Sequence, residues 1–317
     1  EGGESACVMA SGMAAVFGSI MCQIKSGDHV LANKVLFGSC YHILANILPN
    51  YGVEVDFIDA ADNNAWEKSF KQNTKVVFLE SPANPNLELA DISHIANLCK
   101  ANNSFLIVDN IFATPLCQSP LELGADAVIY STTKHMDGQG RTLGGAVIGS
   151  ENFIKGTLLP FHRHSGPALS PFNAWIVTKS LETFALRYDY HVKNAKKIAE
   201  FLEYHKKIAE VIYPGLESHP QYHLAKKQMR SGGAMIAFKV KGSKAECFTF
   251  VNKLEIIDIS NNLGDSRSLI THPATTTHSN IAEEERDILG ITNNLLRLSV
   301  GIEDVEDLIA DISAALD

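Results

Sequence analysis

The chain has 317 residues, of which 45% are hydrophobic and 20% are charged, and its formal net charge is −9. This length suits about two domains of ~100–200 residues each, and the ordinary globular composition excludes a disordered or fibrous chain. The acidic balance argues against nucleic acid or an anionic membrane as the main partner, because such binding draws on clustered Lys and Arg.

The cysteines and the apolar runs bear on the cellular compartment. The six cysteines are scattered without a CxxC pair, which indicates reduced thiols. No apolar run reaches the ~18 residues of a membrane span, and no signal peptide opens the sequence. We therefore expect a cytoplasmic protein.

Helices and strands are predicted to alternate over the first half of the chain. Ser11 is the expected N-cap of a helix over 12–24, which the chain enters without a preceding strand. Further helices are predicted at 41–48, at 64–71 and from a cap at Asp91 to about 101, and strands at 29–32, 53–58, 75–79, 104–108 and 125–130. This order predicts a mainly parallel sheet with helices on both faces and a ligand beyond the carboxyl ends of its strands.

Three of the predicted strands end in polar side chains that suit a pyridine cofactor. One strand runs into a proline-fixed turn that presents Asn84, another ends in Asp109, and a third ends in Lys134. A carboxylate after an apolar run is costly to bury without a cationic partner, and a protonated pyridine nitrogen is such a partner. Seen alone, Asp109 suits the capping of a loop equally well.

The stretch 128–147 places Lys134 between an apolar strand and a glycine-dense loop. A lysine in this position is suited to form a Schiff base with an aldehyde cofactor. Ser131 and Thr133 share one side of the strand and can donate to a phosphate, and the helix N-terminus at Gly12 is a second anion site. A surface lysine and an ordinary capped helix are the alternatives when each feature is taken alone.

The second part of the chain is predicted to form a smaller α/β domain. A helical stretch from 171 onward is amphipathic and is expected to cross between the domains, which we assign to 1–185 and 186–317. Strands are predicted at 209–213, 234–240 and 295–300, and helices at 222–229, 244–254, 283–289 and 305–316.

Polar residues stand out in two stretches of this second domain. Arg297 lies between two apolar strand residues, which suits bidentate capture of a carboxylate or a structural salt bridge. His272 and His278 have no evident third ligand, so we expect a packed loop near the site and no metal centre.

Six ordered motifs resemble the pyridoxal-phosphate enzymes of cysteine and methionine metabolism, the trans-sulfuration group. They are ASGMAA (10–15), ESPANP (80–85), VDNIFATP (108–115), STTK (131–134), THPATTTH (271–278) and LRLSVGIED (296–304). The resemblance implies an α/β architecture of PLP-dependent transferase fold type I, with a smaller C-terminal α/β domain. It also implies pyridoxal 5'-phosphate as cofactor and a homotetramer built from tight dimers.

The resemblance further implies roles for individual residues. Lys134 is expected to carry the cofactor as a Schiff base and Asp109 to pair with the ring nitrogen. Phe37 is expected to stack on the ring, and Asn84 to lie near its phenolic oxygen. The expected phosphate cradle consists of Gly12, Met13, Ser131 and Thr133. The expected substrate-binding residues are Arg297, for the α-carboxylate, and Asn262.

Within the family, KHMDGQGRTLGG at 134–145 resembles the O-succinylhomoserine sulfhydrylases more than the lyases and cystathionine synthases. LFGS at 36–39 and NLGD at 262–265 agree with this subgroup. Phe37 stands where many relatives have a tyrosine, so stacking is kept and a hydroxyl proton donor is lost. We therefore expect γ-replacement on an O-acylhomoserine, with O-succinylhomoserine and sulfide as small-molecule substrates and homocysteine, an intermediate of methionine biosynthesis, as product.

Two alternatives stay open. A relative of the same family could instead run γ-elimination on methionine or cystathionine, or act as a cystathionine γ-synthase. The other alternative is a truncated, non-catalytic cofactor binder, because relatives carry a further N-terminal segment whose tyrosine and arginine reach a neighbouring subunit's cofactor phosphate. Without that arm we expect weaker cofactor binding and lower activity.

Overall fold

The computed structural model describes residues 1–317, which form two β-sheets with helices packed on them. The strands are β1 (Ser5–Met9), β2 (His29–Asn33), β3 (Glu54–Ile58), β4 (Thr74–Glu80), β5 (Phe105–Asp109), β6 (Ala127–Ser131), β7 (Gly145–Gly149), β8 (Ile208–Ile212), β9 (Met235–Val240), β10 (Asp258–Ile259), β11 (Leu269–Thr271) and β12 (Leu295–Ser299). The helices are α1 (Gly12–Met21), α2 (Gly38–His42), α3 (Asn63–Ser69), α4 (Ile92–Ala101), α5 (Thr114–Cys117), α6 (Leu159–Ser165), α7 (Pro171–Leu181), α8 (Phe184–Glu203), α9 (Tyr222–Gln228), α10 (Lys244–Val251), α11 (Glu283–Ile288) and α12 (Val305–Leu316).

The larger sheet is mainly parallel, as the sequence predicts. Its strand order is β1-β7-β6-β5-β4-β2-β3, and the five strands from β6 to β3 pair in parallel. Strand β7 runs antiparallel to both of its neighbours. Four of these strands, β2, β4, β5 and β6, are almost wholly buried, because helices cover both faces of such a sheet, while most residues of the edge strand β3 are partly exposed. Their carboxyl ends meet at one edge, where loops are free to form a site.

The prediction that the first helix has no preceding strand is wrong. Ser5–Met9 forms β1, which pairs with β7 from Ser5 opposite Gly149 to Met9 opposite Gly145. This strand is hard to recognise because its partner lies far along the chain and only Cys7 and Met9 are buried. The helix itself begins as predicted, with the Ser11 side chain accepting from the Ala14 amide at 3.1 Å.

The second sheet has the order β10-β11-β12-β9-β8 and packs against α8, α10 and α12. The helical stretch from 171 is two helices, α7 and α8, separated at Glu182 and Thr183. Strands β10 and β11 were not predicted, and β11 lies in the stretch expected to be a packed loop. Because α8 begins before and continues past the predicted boundary at 185, the division into 1–185 and 186–317 stays a proposal.

A helix was predicted over 41–48, and the chain there is helical over a longer and less regular span. Helix α2 is followed by a π-helical turn, Ile43–Ile47, and a 3-10 turn, Leu48–Tyr51. None of the helices combines the length and apolar composition that a membrane span requires. All six cysteines are free thiols.

Candidate active site

A cavity of about 220 Å³ lies where the parallel strands of the large sheet end and the small sheet approaches them. All of the predicted site residues except Asn262 line it. They are Gly12, Met13, Phe37, Asn84, Asp109, Ser131, Thr133, Lys134 and Arg297. Residues more than 280 positions apart in the sequence thus meet at one place. The residues that follow strands of the large sheet meet as the rule for parallel sheets predicts, whereas Arg297 comes from the second sheet.

Lys134 lies three residues after the end of β6, and the turn after the strand brings its side chain to the cavity. Its Nζ donates to Asn262 Oδ1 at 2.5 Å. Asn262 does not line the cavity, but this hydrogen bond connects it to the site. Burial lowers the pKa of Lys134 to about 8, and the positive charge of Arg297 adds to this effect. A lysine in this environment is a base and a nucleophile near neutral pH.

Asp109 ends β5 beside Glu80, which ends β4 in direct register. Its Oδ1 accepts from the Ile111 amide at 3.0 Å. Burial raises the pKa of Asp109 to about 7 and raises the pKa of Glu80 well above its ordinary value, with repulsion from Asp109 adding to the Glu80 shift. The cavity is therefore lined by a pair of buried acids, Glu80 and Asp109, whose ionisation a cationic ligand would favour.

Arg297 on β12 is 1% exposed and contacts amide and carbonyl oxygens rather than a carboxylate. Its Nη1 donates to Asn84 Oδ1 at 2.8 Å. Its Nη2 donates to the carbonyls of Asn261 at 3.0 Å and Asn262 at 3.2 Å. The Nε is buried without a partner. Burial lowers the pKa of Arg297 to about 10, which leaves the guanidinium charged and able to bind an anion.

The N-terminus of α1 lies against the end of β6 in the wall of the cavity. A side chain on Gly12 would lie 2.7 Å from Ser131 Cβ, so only glycine permits this close approach. The Thr133 hydroxyl accepts from the Gly144 amide at 3.1 Å, which fixes it on the cavity wall. As predicted, Ser131 and Thr133 both line the cavity, and Thr132 between them does not. Free amides at a helix N-terminus beside hydroxyls form an anion site.

Known proteins match this chain over its whole length. The family described as Cys/Met metabolism PLP-dependent enzyme matches residues 1–317. The chain belongs to this family. An O-succinylhomoserine sulfhydrylase of Mycobacterium tuberculosis is 47% identical over 320 residues, covering 100% of this chain and 79% of that protein. An L-methionine gamma-lyase of Fusobacterium nucleatum subsp. polymorphum is 43% identical over 319 residues, covering 100% and 81%.

The structural likeness to a solved member is equally extensive. The crystal structure of metB from Corynebacterium glutamicum superposes with a TM-score of 0.96 at 37% identity, covering 100% of this chain and 81% of that one. The predicted family and fold type are thereby confirmed. The protein is an enzyme that depends on pyridoxal 5'-phosphate and acts on small molecules.

The cavity suits this cofactor on two observations of the structure. The absence of a side chain at Gly12 lets the N-terminus of α1 lie against the Ser131 hydroxyl at the cavity wall, where a Cβ would collide with Ser131, and this pairing of helix amides with a hydroxyl suits a phosphate. The acid pair in the same cavity suits a protonated ring nitrogen, which supplies the cation that buried carboxylates require. The individual roles expected for the ten site residues stay predictions.

Several cavity residues are not among those that the sequence predicts for the site. They are Ser11, Val16, Cys40, Glu80, Ile111, Phe112, Leu143, Asn261 and Leu263. Glu80 alone carried a signal, because it is the last residue of an apolar strand next to the strand of Asp109. Arg141 does not line the cavity; it binds Asp137 and, at 2.6 Å, the Ser180 hydroxyl.

His272 and His278 are buried in the stretch that was expected to pack near the site. The Nε2 of His272 lies 2.8 Å from the Asn293 carbonyl, and that of His278 lies 3.2 Å from the Leu36 carbonyl. Both histidines therefore have structural hydrogen bonds, and neither belongs to a cluster of metal-ligating side chains.

Proposed function

We propose that this enzyme replaces the acyl group of O-succinylhomoserine with sulfide, which gives homocysteine and releases succinate, in methionine biosynthesis. The observation that carries the proposal is the meeting of an amine, an acid pair and a free guanidinium nitrogen around one cavity. The similarity to an O-succinylhomoserine sulfhydrylase at 47% identity supports the choice of reaction.

The bound cofactor supplies an electron sink for the carbanion that forms when a proton leaves the substrate. Lys134 is the proposed anchor for the cofactor and the base that moves protons at the substrate's α and β carbons. Its lowered pKa leaves a useful neutral fraction near pH 8, and Asn262 holds its Nζ in place. Asp109 is proposed to accept from the ring nitrogen, which keeps that nitrogen protonated.

Arg297 is proposed to hold the substrate's α-carboxylate. Its Nη atoms are fixed by Asn84, Asn261 and Asn262, and its Nε has no partner. Because Asn84 Oδ1 accepts from Arg297, the amide nitrogen of Asn84 is left to donate to the cofactor's phenolic oxygen. A fixed carboxylate orients the Cα–H bond relative to the ring.

The remaining proposed roles concern cofactor binding. Phe37, in the β2–α2 loop, would stack on the ring. The amides of Gly12 and Met13 and the hydroxyls of Ser131 and Thr133 would hold the phosphate.

A second candidate function is γ-elimination on methionine or cystathionine, or the related cystathionine γ-synthase reaction. The observation that favours it is the 43% identity to an L-methionine gamma-lyase, which is close to the identity to the sulfhydrylase. The cavity residues described here serve both reactions up to the loss of the γ-substituent.

The test is a product assay on the cofactor-loaded protein. O-succinylhomoserine and O-acetylhomoserine are each incubated with sulfide, and methionine and cystathionine are incubated alone. Sulfide-dependent homocysteine supports the proposal, and faster release of 2-oxobutanoate from methionine overturns it in favour of elimination. Absence of every product in protein that holds the cofactor identifies a non-catalytic binder. Lys134→Ala is the control for background turnover.

We also propose a cytoplasmic homotetramer built from tight dimers, as the family resemblance implies. Large apolar side chains on two helices support a protein contact, since Phe172 is 65%, Trp175 60% and Leu186 74% exposed. Light scattering measures the mass in solution. A mass of four 34.5-kDa chains is expected, and the mass of one chain contradicts the proposal.

A further inference from the structure

Glu80 is a buried carboxylate that contacts two separate parts of the cavity wall. Its Oε2 accepts from the Phe37 amide at 2.7 Å, and its Oε1 accepts from the Asn84 amide at 2.8 Å. Its own amide donates to Asn33 Oδ1 at 3.0 Å, and the Asn33 amide nitrogen donates to the Glu80 carbonyl at 3.2 Å. One side chain thus joins the β2–α2 loop to the turn after β4.

Glu80 also lies beside the predicted partner of the ring nitrogen. It is paired in register with Asp109 on the neighbouring strand, and both residues are 4% exposed. An oxygen of each carboxylate and the sulfur of Cys40 lie within 4.8 Å of one another. Two carboxylates this close and this buried cannot both be charged without a compensating cation.

The groups around Glu80 pull its ionisation in opposite directions. The charged and titratable groups that face it are Asp109 on β5, Cys40 on α2 and Arg297 on β12. The two amide donors and the Arg297 charge favour its anionic form, while burial and Asp109 oppose it. A ring nitrogen that arrives with a proton adds a second cation to the cavity. The ring nitrogen and Arg297 then each offer a positive charge to the two carboxylates, so both acids can be ionised in the loaded enzyme.

We propose that Glu80 is a positioning residue for the cofactor: its carboxylate fixes the cavity walls at Phe37 and Asn84, and its charge helps Asp109 keep the ring nitrogen protonated. This inference rests on the family's cofactor and is independent of which substrate the enzyme uses. Its failure would therefore leave the proposed reaction untouched.

Two substitutions separate the two parts of the role. Glu80→Gln keeps the length of the side chain and removes its charge, and the new NH₂ group faces one of the two amide donors. Glu80→Asp keeps the charge and shortens the side chain, so the bonds to both amides are lost. Asp311→Asn is the matched control, because Asp311 is a buried carboxylate on α12 that accepts from the amides of 255, 256 and 257 outside the cavity.

Cofactor affinity tests the positioning part. The dissociation constant for pyridoxal 5'-phosphate is measured by equilibrium dialysis on protein whose fold is checked by circular dichroism. We expect it to rise about tenfold or more in both Glu80 variants, because a buried amide donor loses a charged acceptor. We expect it to stay unchanged in Asp311→Asn.

The protonation of the cofactor's ring nitrogen tests the second part of the role, the effect of the Glu80 charge. With ¹⁵N-labelled cofactor, the chemical shift of that nitrogen reports its protonation directly. In Glu80→Gln the loss of a nearby negative charge should lower the pH at which the nitrogen gives up its proton by about 1. In Glu80→Asp the midpoint should stay near that of the unaltered protein.

The outcomes are distinguishable. Unchanged affinity and an unchanged midpoint in folded Glu80→Gln overturn the proposal. An equal loss of affinity in Asp311→Asn overturns it as well, because the effect would then follow from general destabilisation. If Asp311→Asn folds and neither Glu80 variant does, Glu80 serves the fold and the positioning role is rejected.

Discussion

The Lys134 amine lies in a setting that keeps it partly neutral near physiological pH. Burial disfavours its charged form, Arg297 repels that form, and its only side-chain partner is the amide oxygen of Asn262. A neutral amine is the form that attacks an aldehyde and accepts a proton. The lowered pKa of Lys134 should therefore determine how the rate of cofactor capture depends on pH.

We predict that capture of pyridoxal 5'-phosphate by the cofactor-free protein follows the titration of Lys134. With a pKa of about 8, the neutral fraction and the rate should rise roughly tenfold per pH unit below pH 8 and level off above it. An ordinary lysine, with a pKa of ~10.4, would be only ~0.4% neutral at pH 8. Stopped-flow absorbance measures the rate. Lys134→Ala should show only the absorbance of the free cofactor and no shift to the Schiff-base band, and a rate that still rises beyond pH 10 would contradict the assignment.

Phe37 supplies an apolar ring to the cavity and no proton donor. Succinate leaves as a stable anion, whereas a thiolate leaving group benefits from a general acid. We predict that Phe37→Tyr increases 2-oxobutanoate release from methionine by ~10-fold or more. Succinate release from O-succinylhomoserine should change little. Both products are quantified under the same conditions.

The control for this change is Phe57→Tyr, which adds the same hydroxyl to a partly buried ring on β3 outside the cavity. It should alter neither product. An equal change in both reactions of Phe37→Tyr would mean that ring packing, rather than proton donation, limits the enzyme.

Helix α1 serves the site through its backbone. Its first residues face Ser131 at the end of β6, and the absence of a side chain at Gly12 allows that approach. We predict that Gly12→Ala raises the dissociation constant of the cofactor by ~10-fold or more, because the new Cβ must displace Ser131 or the helix N-terminus. Equilibrium dialysis measures it.

Gly156→Ala provides the comparison for this substitution. Gly156 is exposed, and a Cβ there would meet only Asn152 Oδ1 at 3.5 Å, an ordinary contact. Cofactor affinity should be unchanged in this variant. If Gly12→Ala binds the cofactor as well as Gly156→Ala does, the helix N-terminus is not the phosphate site.

Elements with a clear period or a clear cap could be predicted from the sequence. Helices α4 and α12 and the buried parallel strands lie within a few residues of their predicted bounds. Strand β1 could not be predicted, because a short strand at the sheet edge is defined by a partner some 140 residues away. Strand β11 is three residues long and carries too little periodicity to be recognised.

Site residues likewise fall into two groups: some could be predicted from the neighbouring sequence, and others depend on contacts between distant parts of the chain. Lys134 and Asp109 end apolar runs, so the sequence alone places them at one sheet edge. The contact of Asn262 with Lys134 spans 128 positions and depends on how the two sheets pack. Glu80 becomes informative only when β4 and β5 are aligned in register, since only then do two buried carboxylates stand side by side.

At the scale of the whole molecule, the cavity exists only where the two sheets touch. The loop between β10 and β11 (the small-sheet loop) contacts the loop that follows Lys134: its Ser266 amide donates to the Gly138 carbonyl at 2.7 Å. Arg187 on α8 donates to the carbonyls of His135 and Met136, at 2.9 and 3.1 Å. A close backbone approach beside Lys134 is at Gly264. A Cβ there would lie 2.5 Å from the His135 amide nitrogen, next to Lys134.

We predict that Gly264→Ala weakens cofactor binding by pushing the small-sheet loop away from Lys134. Gly27→Ala is a matched control, because both glycines have positive φ, +74° and +87°, and a Cβ at Gly27 meets nothing within 4 Å. Both variants should lose stability through backbone strain. Only Gly264→Ala should also lose part of the stabilisation that bound cofactor adds to the folded state.

Thermal unfolding with and without saturating cofactor separates these contributions. A tenfold loss of affinity removes about 1.4 kcal/mol of stabilisation, which reduces the cofactor-induced rise in Tm by a few degrees for a chain of this size. Gly27→Ala should keep the full rise, since its strain acts equally on the free and the loaded protein. If both variants keep the full rise, the cofactor site does not depend on the close packing of the two sheets at Gly264.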